Sequence, residues 1–214
     1  MMKEMGEQIL KQFEWSFEAM KNNDLELAQK ALDEDQNTNH MYSKIKSSTD
    51  TVLSLDPFFE FNNTIMFNEI AYDMERIGDH ICHIPKFVLE EHTEVKKPVF
   101  DVLEEMYDIA STMFKKAVKS FLKRDLNIKD KMDRYEHELT NLQKLATKKI
   151  SSQMAKADIN KNNSPYYLKL FRVVKSFERI GDISIEITEA TTQFYIENQS
   201  TLRKQHFKYF DQNK

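Results

Sequence analysis

The pentapeptide Glu75-Arg76-Ile77-Gly78-Asp79 recurs letter for letter as Glu178-Arg179-Ile180-Gly181-Asp182, 103 residues further along a chain of 214. Each copy lies inside a long segment of helical periodicity, so one supersecondary unit has been used twice and the chain folds as a tandem repeat. A second match, Asn22-Asn23-Asp24-Leu25 against Lys123-Arg124-Asp125-Leu126, carries nearly the same offset back to the start of each unit. The chain has three glycines and two of them sit in the pentapeptides, where a mid-helix Gly costs about 1 kcal/mol relative to Ala. Each therefore answers a local need: close approach of a neighbouring helix, or room beside the carboxylates.

Four prolines and three glycines leave few breaks in the pattern, and the breaks that exist read as helix boundaries. The first helix, over about 4 to 22, carries Ile9, Leu10, Phe13, Phe17 and Met20 on one stripe. Asp24 caps a second helix over about 25 to 54, and Asp56-Pro57 opens a third over about 57 to 91. Pro85 lies within that third pattern and is expected to kink or end it locally. After Glu94 to Pro98 the plan repeats, with helices over about 98 to 123 and 125 to 155, a polar loop over 157–164, and a last helix restarted by Ser164-Pro165. No strand alternation competes. The expectation is an all-α fold of two tandem three-helix bundles, 1–94 and 95–198, followed by a polar tail over 199–214.

Hydrophobic residues make up 40% of the chain and charged residues 31%, which suits long helices with one solvated face. Lys and Arg number 31 against 35 Asp and Glu, so the net charge of −4 excludes attraction of nucleic acid or anionic membrane by bulk charge. The single Cys82 rules out an internal disulfide and fits a reducing cytosol. No apolar run approaches the roughly 18 residues of a membrane span, and the first residues do not form a signal peptide. The chain is expected to be soluble and cytoplasmic.

Positions four apart on a helix lie about 40° from each other, so Glu75 and Asp79 share a face, as do Glu178 and Asp182. Ile70, Ile77, Ile81 and Ile84 fall on the far side, which turns both acid pairs away from the core stripe. The first face extends to His83 and the second to Glu186. Such pairs are common on solvated helices, yet like charges at this spacing repel. Keeping the same repulsive pair in both halves is explained if a cation sits between the acids. Hard oxygen ligands with one imidazole suit iron, zinc, manganese or magnesium, and the residues do not choose among them.

Asp73-Met74-Glu75-Arg76-Ile77-Gly78-Asp79-His80 resembles the PhoU family, whose motif places Glu four residues before Asp in the third helix of each of two three-helix bundles. The resemblance spans nearly the whole chain. It implies a non-enzymatic regulator of phosphate uptake that binds metal on its bundle surfaces, forms homodimers, and contacts a phosphate transporter's ATPase and a phosphate sensor kinase. Carried over by position, Glu75 and Asp79 with Asp73 beside them form the first site, joined by Asp35 and Asn39 from the second helix. Glu178, Asp182 and Glu136 form the second site, where Thr140, Ser176 and Ile183 replace Asn39, Asp73 and His80. That site is depleted, so the first half is expected to bind metal better. Relatives of this kind that stand alone carry about a dozen residues ahead of the segment matching Met5-Gly6-Glu7, so the resemblance implies, as a second reading, the cytoplasmic C-terminal domain of a sodium/phosphate cotransporter acting on its own membrane part. A helical scaffold without metal is the remaining alternative. A di-iron carboxylate enzyme needs Glu-x-x-His pairs aimed into a bundle core, and the positions three after Glu75 and Glu178 are Gly78 and Gly181.

Overall fold

Helix ends fall where turn chemistry replaces the apolar period. In the computed structural model, which describes residues 1–56, 61–157 and 164–211, the elements are α1 Met2–Asn22, α2 Leu25–Asp33, α3 Asp35–Leu55, α4 Phe61–Ile81, α5 His83–Glu91, α6 Lys97–Lys123, α7 Lys129–Lys156 and α8 Ser164–Asp211. The protein is all-α, as the periodicity predicts. The second and third rods of the first half are each interrupted once, at Glu34 and at Cys82. Proline explains the second interruption. Pro85 has no N–H, and its ring crowds the carbonyl of Ile81 four residues back, so the helix yields just before it. Cys82 N still bonds Gly78 O at 3.1 Å, and Lys86 N takes up Cys82 O at 3.2 Å, which keeps α5 nearly continuous with α4. The expected start of the third helix at Pro57 and most of the expected polar loop, 158–163, lie outside the described residues.

The two first rods stop in the same way. Asn23 and Arg124 take left-handed conformations, with φ of 50° and 55°, and the next N–H closes on the fifth carbonyl back: Asp24 on Ala19 at 2.9 Å and Asp125 on Ser120 at 3.1 Å. This is a Schellman-type stop, made at corresponding positions of both halves. Asp24 then caps α2 by accepting from Leu27 N at 2.9 Å. Asp125 instead accepts from Asn127 N at 3.1 Å, and the turn that results delays α7 to Lys129 rather than the expected 125.

Burial assigns the layers. α3 buries only Thr38 and Ile45 of its 21 residues, so it lies at the outside of the first bundle. α1 and α6 bury long stripes and pack on each other, while α4 and α5 pack on α8 to complete the joint between bundles. The joint is aromatic at one level: Phe17 stacks on Tyr107 with centroids 4.2 Å apart, and Phe13 lies 5.8 Å from Phe177. α8 runs without a break to Asp211, through much of the stretch the sequence marks only as a polar tail. Among the described residues no helix is long and apolar enough to cross a membrane.

Candidate metal centre between the second and third rods

The periodicity that buries Ile70, Ile77 and Ile81 leaves Glu75 half-buried and Asp79 exposed on the opposite face of α4. That edge faces α3, which contributes Asp35 and Asn39 one turn apart. Asn39 Nδ2 donates to Asp35 Oδ2 at 3.1 Å, leaving Asp35 Oδ1 and Asn39 Oδ1 buried with no hydrogen-bond partner. The Cys82 thiol lies beside Asp35 but makes no hydrogen bond of good geometry to Oδ1. Burial pushes the Glu75 carboxyl above its usual range, and the charges of Asp79 and Asp35 push it further. Asp79 is raised by the same two causes, burial first and then Asp35, against Lys86 and His83. Four of the eight sequence candidates thus form one electronegative cluster.

Asp73 does not join it. On the helical wheel it stands about 160° from Glu75, and the structure turns it into the seam between α4 and α8, where it is nearly buried. Arg76 Nη1 bridges Asp73 Oδ1 and Glu186 Oε2, each at 2.8 Å. Burial nevertheless pushes the Asp73 carboxyl up to about 6. Ser176 occupies the equivalent place in the second half, and His83 Nδ1 lies 2.9 Å from its hydroxyl. That hydroxyl donates to Arg172 O at 3.0 Å, so Nδ1 carries the proton in the pair. His83 and Glu186, which extend the two acid faces on the wheel, thus serve the joint between bundles.

In the second half Glu178 is held by Lys175, and Asp182 by Arg179 at 3.2 Å. Asp182 is raised by burial and by Glu178, with Arg179 and Lys175 acting against them. Glu136 is exposed on α7, near enough for its charge to be felt at Asp182. This cluster is partly neutralised by its own lysine and arginine.

Sequence reasoning passed over Gln12, Thr38 and Cys82. Gln12 and Thr38 are fully buried beneath the first cluster, and Gln12 Oε1 and Thr38 Oγ1 also lack partners. The signal was present: the repeat register sets Gln12 and Thr38 against Met113 and Leu139, polar residues where the other half is apolar. Among the described residues no three of His, Cys, Asp and Glu converge as a ready-made metal centre. The first cluster fits a hard cation through its mixed set of carboxylate and amide oxygens, two of them buried and unanswered.

These features define a duplicated helical-bundle protein with an oxygen-rich site between two rods of its first bundle. The model of the PhoU domain matches the chain twice, over residues 2–88 and 103–191. A phosphate-specific transport system accessory protein PhoU homolog of Clostridium acetobutylicum is 23% identical over 194 residues, 87% of this chain and 85% of the relative. The fold is shared with PhoU from Pseudomonas aeruginosa (TM-score 0.82, 21% identity, 92% of this chain and 94% of that one). It is shared also with the phosphate transport system regulatory protein PhoU from Streptococcus pneumoniae (TM-score 0.79, 19% identity, 91% of each chain). The chain belongs to the PhoU family.

Proposed function

We propose that this chain is a non-enzymatic, cytoplasmic regulator of phosphate uptake and of the response to phosphate starvation, acting by contact with other proteins. The observation that carries this reading is the match of both halves, in order and over nearly their full length, to a domain whose relatives are named as phosphate transport accessory and regulatory proteins. Its partners are the ATPase of a phosphate transporter and a phosphate sensor kinase, met through the charged outer faces of the rods by a homodimer. Deleting the gene is expected to release a phosphate-regulated reporter from repression in phosphate-rich medium, and restoring the chain to re-impose it. An unchanged reporter would sink the reading.

Metal binding belongs to the same proposal. Glu75, Asp79, Asp35 and Asn39 would hold a cation of the iron, zinc, manganese or magnesium group, which supplies positive charge among three carboxylates that otherwise repel. Glu178, Asp182 and Glu136 would hold one less tightly, because Lys175 and Arg179 already compensate their charge. Elemental analysis of purified protein beside Glu75→Ala/Asp79→Ala is expected to show metal lost from the variant. Equal content in the two proteins removes the first site from the proposal, and metal retained by Glu178→Ala/Asp182→Ala supports the asymmetry.

A further inference from the structure

Beneath the outer acids the first bundle leaves a methyl-sized chamber faced by two oxygens and the Thr38 methyl. Gly78 is its floor: a Cβ placed there would meet Thr38 Cγ2 at 3.3 Å, Asp35 Oδ1 at 3.5 Å and Gln12 Oε1 at 3.6 Å. Two oxygens, from α1 and from α3, thus converge on the space left by one missing methyl group. Neither has a hydrogen-bond partner, and both are buried. Gln12 is 0% exposed. Its Nε2 donates to Cys82 Sγ at 3.4 Å, which holds the amide with its oxygen toward the chamber. Two acceptors gathered out of water, neither of them met by the nearby Thr38 hydroxyl or Cys82 thiol with a good hydrogen bond, are unfavourable unless something positive or protic lies between them.

The second bundle is an internal control. A Cβ on Gly181 would meet Leu139 Cδ2 at 2.5 Å, Met113 Sδ at 3.4 Å and Met113 Cε at 3.5 Å. Met113 stands where Gln12 stands, and Leu139 where Thr38 stands. The same backbone therefore packs well with hydrocarbon at this level, and the fold does not require the oxygens of the first half.

We propose that Gln12 Oε1 and Asp35 Oδ1 are ligands of a hard cation of the magnesium, calcium or manganese class, held over Gly78 and tying α1 to α3 and α4. A carboxylate with a neutral amide oxygen is a donor set such ions take, and the Cys82 sulfur nearby is engaged in accepting from Gln12 Nε2. The inference deepens the metal site proposed above, since Asp35 is shared between the chamber and the outer pair Glu75 and Asp79, and it adds α1 to the elements that hold the ion. The competing arrangement is a half-turn of the Gln12 amide, which brings Nε2 to Asp35 and lets Oε1 accept from the Cys82 thiol. That turn leaves Thr38 Oγ1 and Asn39 Oδ1 unanswered.

The test is manganese binding to the full chain, read by electron paramagnetic resonance of free Mn²⁺, with thermal unfolding measured in Mn²⁺ and in EDTA. Gln12→Met, which copies the second bundle, is expected to fold and to bind Mn²⁺ roughly ten- to a hundredfold more weakly. Gln12→Glu sets a second carboxylate against Asp35, so it is expected to melt below the parent in EDTA and to gain more than the parent when Mn²⁺ is added. Gln12→Met binding as tightly as the parent overturns the inference. If Glu75→Gln/Asp79→Asn loses Mn²⁺ at the same time, the outer site stands without the chamber. If that double variant keeps Mn²⁺ while Gln12→Met loses it, the chamber stands and the outer reading falls. A parent that binds no Mn²⁺ overturns both and leaves the turned amide as the occupant of the space.

Discussion

At the scale of the residue, the acids of the first bundle are placed against their own electrostatics. Glu75 and Asp79 carry raised pKa values because burial and Asp35 disfavour their charge, so without a cation they weaken the fold. Asp79→Asn in EDTA is expected to be as stable as the parent or more so, by about 0.2–0.5 kcal/mol for relief of a like-charge pair, while gaining less from added metal. Urea unfolding with and without Mn²⁺ checks both halves of this statement. Asp73 offers a second, independent test, because its carboxyl is pushed up to about 6 from an ordinary 3.8. Over that interval the native state holds a proton the unfolded chain has lost, so its contribution falls as pH rises from about 4 to 6 and is fully present below it. Asp73→Asn should flatten the decline over this window relative to the parent, measured as urea midpoints at pH 4.5 and 6.5 in EDTA. Equal slopes in the two proteins would remove Asp73 as the cause.

At the scale of the element, the pentapeptides announce the third rods and the isoleucine stripe announces which way they face, because a 3.6-residue period translates directly into direction. Neighbourhood in sequence is a poorer guide. Asp73 sits two residues from Glu75 yet serves the joint with Glu186, and the wheel that sets Ile77 opposite Glu75 places Asp73 on the same far side. The break at Cys82 was legible from Pro85. The one at Glu34 was not, since its φ of −63° and ψ of −22° stay helical and no breaker marks it. Gln12 was hidden by its setting between Ile9 and Phe13, where one polar residue on an apolar stripe reads as incidental until the second repeat supplies Met113 for comparison. The two motif glycines differ in the same way. Gly78→Ala meets only ordinary or slightly tight contacts and gains helix propensity of about 1 kcal/mol, so it should be neutral or stabilising in EDTA. Gly181→Ala must displace the buried Leu139 methyl, an overpacking cost of about 1–3 kcal/mol. The expected order is Gly78→Ala above Gly181→Ala by about 1 kcal/mol or more in urea unfolding, and the reverse order would show that the first chamber is already filled by protein.

At the scale of the whole molecule, duplication has not produced two independent domains. The joint buries aromatic rings from both halves against each other: Phe17 of α1 stacks on Tyr107 and lies 5.6 Å from Phe100, both of α6, and Phe13 approaches Phe177 of α8. Arg76 and Glu186 cross the same joint, as do His83 and Ser176. A first bundle cut from the second would expose this face to water, and its third rod would lose α8, one of the helices it packs on. The intact chain is therefore expected to unfold in one transition, with tryptophan fluorescence from Trp15 in the first bundle and far-UV dichroism from all helices coinciding. Phe17→Ala should lower stability by about 3–5 kcal/mol through the lost ring and the cavity it leaves, without separating the two signals. A fragment ending at Glu94 is expected to lack the cooperative melting of the parent. Two resolved transitions in the parent, or a fragment melting at the parent's temperature, would show that each repeat holds itself together. The joint would then be a movable hinge rather than a shared core.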